Sequence, residues 1–156
     1  MSNDEPSARI PPPAALLGAA GLIPFMGLAV AGHLAPEPWR LPALTALSPY
    51  GALILSFMGG AQWGLAVAAG ERRLRPYAVS VIPALLAWAL LAAPLALGLI
   101  GLAVGLVLLL IYDLVTIGRG EAPAWYGVLR SRLTLVAALS LVVGALAPSA
   151  GLGGAP

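Results

Sequence analysis

Asp113 is the residue of this chain best equipped for chemistry, because it is the one acid lying well inside a long apolar run. A carboxylate at bilayer depth costs about 2.5–3.5 kcal/mol on insertion scales, so an intramembrane acid either pairs with a cation or serves as a functional group. Asp113 also stands near the C-terminal end of its run, where a negative charge opposes the helix dipole. A cationic partner is therefore required. Arg130, Arg132 and the cluster Arg72, Arg73 and Arg75 are within reach if the neighbouring segments return to the same end. A structural ion pair is the first reading, and a proton, ion or ligand site is the second.

Gln62 and Trp63, inside Gly59-Gly60-Ala61-Gln62-Trp63-Gly64, form the next candidate. An amide in the membrane seeks a partner across a helix interface. Together with Trp88 and Tyr112 these two side chains could line a ligand pocket. The plainer alternative is packing plus one interhelical hydrogen bond. Cysteine is absent and His33 is the single histidine. That excludes thiolate nucleophiles, disulfides and thiolate metal sites, and one imidazole cannot build a bis-histidine haem or a histidine-rich metal site. No nucleophile–base pairing, glycine-rich phosphate loop or metal motif is visible. The sequence thus reads as non-enzymatic, with no metal and no cofactor.

The elements that must position these residues follow from composition. Of 156 residues, 60% are hydrophobic and 9% charged, against about a quarter charged in a soluble domain. Mean hydropathy is +0.96. Apolar runs occupy 12–34, 48–69, 77–93, 95–117 and 131–148, each close to the about 20 residues that cross a bilayer core. The expected fold is an all-α integral membrane protein, a five-transmembrane-helix bundle forming one domain over 12–148. A polar, disordered tail (1–11) precedes it and a flexible Gly/Ala-rich tail (149–156) follows. Pro36, Pro38 and Pro42 mark 35–47 as a loop, Pro24 predicts a kink in the first helix, and residues 77–117 divide near Ala93-Pro94. Ala29-Val30-Ala31 resembles a signal-peptidase site. A retained first helix is preferred, because Asp4 and Glu5 offset Arg9 and the apolar stretch exceeds an ordinary h-region.

Orientation comes from charge. All but one of the eight basic residues fall on one side of this zigzag, namely Arg9, Arg72, Arg73, Arg75, Arg119, Arg130 and Arg132; only Arg40 falls opposite. Short cytoplasmic loops carry the excess of basic residues, so the N-terminus is expected in the cytoplasm and the C-terminus outside. The same pattern favours five helices over four, since removing the hairpin at 93–94 would scatter the arginines to both sides. The net charge of +2 then reflects contact with anionic headgroups, and nucleic acid is not an expected partner. Small residues recur at Ala52, Ser56, Gly60, Gly64 and Ala68, and again at Gly101 and Gly105. Such stripes let helix backbones approach closely, either within the bundle or against another subunit or a second copy.

The stretch from Tyr50 to Gly64 (YGALILSFMGGAQWG), with Ser80-Val81-Ile82-Pro83, Trp88, Tyr112-Asp113 and Ala122 to Arg130 (APAWYGVLR), resembles a domain-of-unknown-function family of small bacterial membrane proteins. That family is similar to transmembrane protein sixty-nine of mitochondria. The resemblance spans roughly residues 15–145 and implies a multi-pass inner-membrane protein, with no activity attached. The expected function is that of an accessory or assembly subunit of a membrane complex. The alternative is a small intramembrane ligand-binding or transport protein using Asp113, Gln62 and the Trp63/Trp88 region.

Overall fold

A computed structural model describes residues 9–119 and 123–151. Five helices follow one another: α1 (Pro12–Leu34), α2 (Glu37–Ala68), α3 (Leu74–Leu90), α4 (Leu95–Gly118) and α5 (Ala124–Ala145). Four of them are long and apolar enough to cross a membrane; α3, with 17 residues, is shorter. At helical rise α3 extends about 26 Å, slightly under the about 30 Å of a bilayer core. Residues 1–8 and 152–156 of the expected tails, and 120–122 between α4 and α5, lie outside the described residues.

The segment 35–47 differs from the sequence expectation of a loop. It is helical from Glu37, so α2 runs 32 residues. Pro36 and Pro38 fall at the N-cap and in the first turn, where a missing N–H costs nothing. Pro42 and Pro49 lie inside the helix and are outweighed by packing. Leu44 and Leu47 on this segment are fully buried, against Gly32 of α1 and Gly144 of α5. Arg40 adds a tie, donating from Nε to the Ala35 carbonyl at 2.8 Å and pairing with Glu37 at 3.2 Å. The last helix also differs, running 124–145 where 131–148 was expected. Residues 148–150 form a 3-10 turn with Ala150 buried, so the tail begins packed.

Helix ends explain the turns. α2 stops at a Schellman motif, in which Gly70 N–H bonds Val67 O and Glu71 N–H bonds Ala66 O, both at 3.0 Å. Gly70 takes φ +64°, a left-handed conformation that glycine adopts without Cβ strain. α3 and α4 join through residues 91–94, where the sequence places its hairpin, and Pro94 caps α4.

α2 packs on all four other helices, while α1 and α4 each flank α5. The centre is closed by Phe25, Leu55, Leu102, Leu106 and Leu141, all fully buried. Outward faces carry large apolar side chains such as Leu17, Ile23, Phe57, Leu85, Leu108 and Leu139. That is a surface made for lipid, since a water-soluble monomer seldom exposes so much contiguous apolar area.

Candidate functional site

One polar cluster lies inside the bundle, built from α2, α4 and α5. Asp113 on α4 is 1% exposed, Arg130 on α5 4% and Gln62 on α2 6%. Arg130 donates from Nε to Asp113 Oδ2 at 2.7 Å, and Gln62 donates from Nε2 to Asp113 Oδ1. Arg130 Nη1 rests 2.7 Å from Met58 Sδ. Thr116 Oγ1 donates to the Asp113 main-chain carbonyl at 2.7 Å, one turn along α4. Among the described residues, Arg130 Nη2 and Thr134 Oγ1 are buried without a hydrogen-bond partner.

The register of three helices makes this meeting possible. Gln62 stands about as far from the α2 terminus Ala68 as Asp113 stands from the α4 terminus Gly118. Gly127 lets α5 approach α4 closely, for a Cβ there would meet Ile117 at 3.2 Å and Leu114 at 3.5 Å. Both carboxylate oxygens of Asp113 are engaged, so the acid is neutralised where it stands. Losing one member of a buried ion pair costs about 3–5 kcal/mol, because the survivor is left charged and unpaired.

The other residues singled out in the sequence are distributed differently. Arg132, Arg72 and Arg75 are exposed and do not bond Asp113; Arg73 pairs with Glu71 at 2.6 Å. Trp63 meets Tyr77 edge-on at 4.9 Å on an exposed face. Trp88 is 75% exposed. Neither tryptophan lines the cavity that contains Gln62, contrary to the expectation of a shared aromatic wall. Tyr112 and Gln62 do share one, a cavity of about 500 Å³ between α2, α3 and α4. It opens among Arg73, Arg75 and Arg119.

The small-residue stripe splits as well. Ala52 is buried and Ser56 bonds the Ala52 carbonyl of its own helix at 2.8 Å. Gly60 and Gly64 face outward, where an added Cβ would meet no neighbouring helix within 4 Å, and Ala68 is exposed. Intramolecular packing instead uses Gly51, Leu55, Gly59, Gln62 and Ala66, a face rotated around α2. Gly101 and Gly105 pack inside the bundle, on Leu90 and on Leu55 with Leu86. Met58 was not foreseen as a ligand of the arginine; its spacing of four from Gln62 places both on one side of α2.

The turn joining α2 and α3 is held by Glu71. Its carboxylate accepts from the Arg73 guanidinium and from the main-chain N–H groups of Arg73 (2.9 Å) and Arg72 (2.8 Å). These bonds, the Arg73 side chain first, hold the Glu71 carboxyl down to about 2. Tyr77 Oη donates to the Glu71 carbonyl at 2.9 Å and closes the turn.

Residues 10–146 match the family described as protein of unknown function (DUF3429). The chain belongs to that family. It is also 38% identical over 147 residues to transmembrane protein 69 of Xenopus tropicalis, an alignment covering 85% of this chain and 53% of that protein. The chain thus spans about half the length of this relative. No solved structure matches it. This family member is a multi-pass membrane protein by its helices and its relative, and its matched region includes the whole Gln62–Asp113–Arg130 cluster.

Proposed function

We propose that this protein is a non-enzymatic accessory or assembly subunit that docks onto a membrane partner through the open face of α2. The observation that carries the proposal is the outward pair Gly60 and Gly64, where an added Cβ would meet no neighbouring helix within 4 Å although glycine four apart is the spacing that admits a neighbouring backbone. Phe57 and Val67 flank the pair as exposed apolar side chains. The closed state of Asp113 supports a structural role for the polar cluster, since an acid with both oxygens bonded is not poised to transfer a proton. One-sided arginines support five crossings with the N-terminus in the cytoplasm and the C-terminus outside, α3 included, and an inner-membrane setting goes with the family resemblance.

The Gly60→Leu/Gly64→Leu variant tests this reading, purified in mild detergent beside the wild type and analysed by mass spectrometry. The wild type retains a reproducible membrane-protein partner and the variant loses it while unfolding at no lower a temperature. A wild type that purifies as a monomer without a partner would sink the proposal.

A further inference from the structure

The cavity at the arginine-bearing end has a composition that packing alone does not require. Leu65, Leu108, Ile111 and Val115 give it apolar walls, while Arg73, Arg75 and Arg119 stand at its mouth; among the described residues its lining has one carboxylate, Glu71, that Arg73 already engages. Among the described residues Arg75 and Arg119 enter no ion pair. The cavity's volume, about 500 Å³, falls within the about 300–1,000 Å³ of small-molecule sites. A second, apolar groove of about 170 Å³ continues from it, sharing Leu108 and Tyr112 and lined by Val79, Ile82, Leu86 and Gly105. Charge at the bilayer surface leading into an apolar channel at bilayer depth is the negative image of an amphiphile.

We propose that this cleft between α2, α3 and α4 binds one anionic phospholipid. The phosphate sits between Arg75 and Arg119, which offer planar sets of N–H donors suited to phosphate oxygens. An acyl chain follows Ile111 and Leu108 into the groove beside Ile82 and Leu86. Gln62 lines the cavity and also bonds Asp113, so a bound lipid would rest beside the polar cluster that joins α2 to α4. A free phosphate would use the arginines but leave the groove unfilled. The continuity of the two spaces selects the lipid.

The test uses the full chain in detergent, with native mass spectrometry counting lipid adducts at equal concentrations of phosphatidylglycerol and phosphatidylcholine. Wild type holds one phosphatidylglycerol in preference to phosphatidylcholine. The Arg75→Gln/Arg119→Gln variant loses that preference by about thirtyfold, as two headgroup-facing arginines imply. Arg132→Gln, an exposed arginine outside the cleft, leaves it intact. Ile82→Trp fills the groove without changing charge and weakens the same adduct. Equal binding of both lipids, or an equal loss in Arg132→Gln, overturns the site. Displacement by millimolar inorganic phosphate together with an unchanged Ile82→Trp overturns the lipid and leaves a soluble anion as ligand.

Discussion

At the Arg40 end the bundle is filled by Leu44, Leu47, Leu99, Leu141 and Ala145, while the opposite end holds Gln62, Asp113 and Arg130 and opens into a cavity of about 500 Å³. The first end is mainly apolar packing with close backbone approach, as where Gly98 lies against the Leu90 carbonyl. The second has an ion pair, an amide and a cleft lined with arginine. Within a bilayer, apolar contact alone discriminates poorly between correct and slipped helix registers, because lipid tails are as apolar as leucine. A polar lock across α2, α4 and α5 can be satisfied in one register only. The same end therefore fixes how the helices align and offers the groups that could meet a ligand.

The largest effect should come from splitting that lock. Asp113→Ala or Arg130→Met alone leaves a buried charge without its partner and should cost about 3–5 kcal/mol, read as a lowered unfolding temperature in detergent. The double variant Asp113→Leu/Arg130→Met removes both charges and should recover much of the loss. Single variants as stable as wild type would break the contrast between the two ends. If the double variant is no better than the singles, the cluster holds more than a charge pair.

How far the sequence foretold each end differs for a physical reason. The turn at 91–94 and the approximate helix positions follow from apolar run lengths, which the bilayer imposes one segment at a time. The early start of α2 was hidden because Pro36, Pro38, Pro42 and Pro49 speak locally, whereas the burial of Leu44 and Leu47 against α1 and α5 is tertiary. Asp113 announced itself by the cost of a buried charge, and Arg130 was one of several cationic candidates. Choosing Arg130 over Arg132 needs the rotation of α5 about its axis, which two residues of spacing do not set. Gln62 and Trp63 are adjacent in sequence yet point to different surroundings, one to Asp113 and one to Tyr77. Successive positions on a helix do not share a face, so Trp63 stays out of the cavity that Gln62 shares with Tyr112.

A smaller effect separates the two adjacent glycines of α2. Replacing glycine by alanine inside a helix gains about 0.8–1.0 kcal/mol of intrinsic propensity. At Gly60 nothing opposes this gain, so Gly60→Ala should raise the unfolding temperature slightly. At Gly59 the added Cβ would lie 2.6 Å from the Ser80 carbonyl oxygen, a main-chain atom that cannot rotate away. Overpacking typically costs about 1–3 kcal/mol, enough to reverse the sign. Gly98→Ala, with its Cβ 2.8 Å from the Leu90 carbonyl, should behave like Gly59→Ala. Close backbone approach would then be common to both ends, with the polar lock particular to one. Stabilisation at all three positions would mean that the helices can move apart without loss.

The smallest effect belongs to the turn that carries the arginines. Glu71 is held down to about 2 from an ordinary value of 4.5, so in the folded protein it stays ionised where the unfolded chain would take up a proton. A depressed carboxyl stabilises the fold fully above the unfolded value, and that contribution fades as pH falls through the window toward the folded value. Glu71→Gln removes the titration while keeping an acceptor for the Arg72 and Arg73 main-chain N–H groups. Unfolding temperatures of the two proteins should therefore differ most near neutral pH and converge between about 4.5 and about 2. The difference should also shrink in high salt, since an exposed charge pair is screened by ions. A constant gap across that window would show that the Arg73 guanidinium is not what fixes the turn, and the arginine-bearing end would then owe its shape to Gly70 and the Tyr77 bond alone.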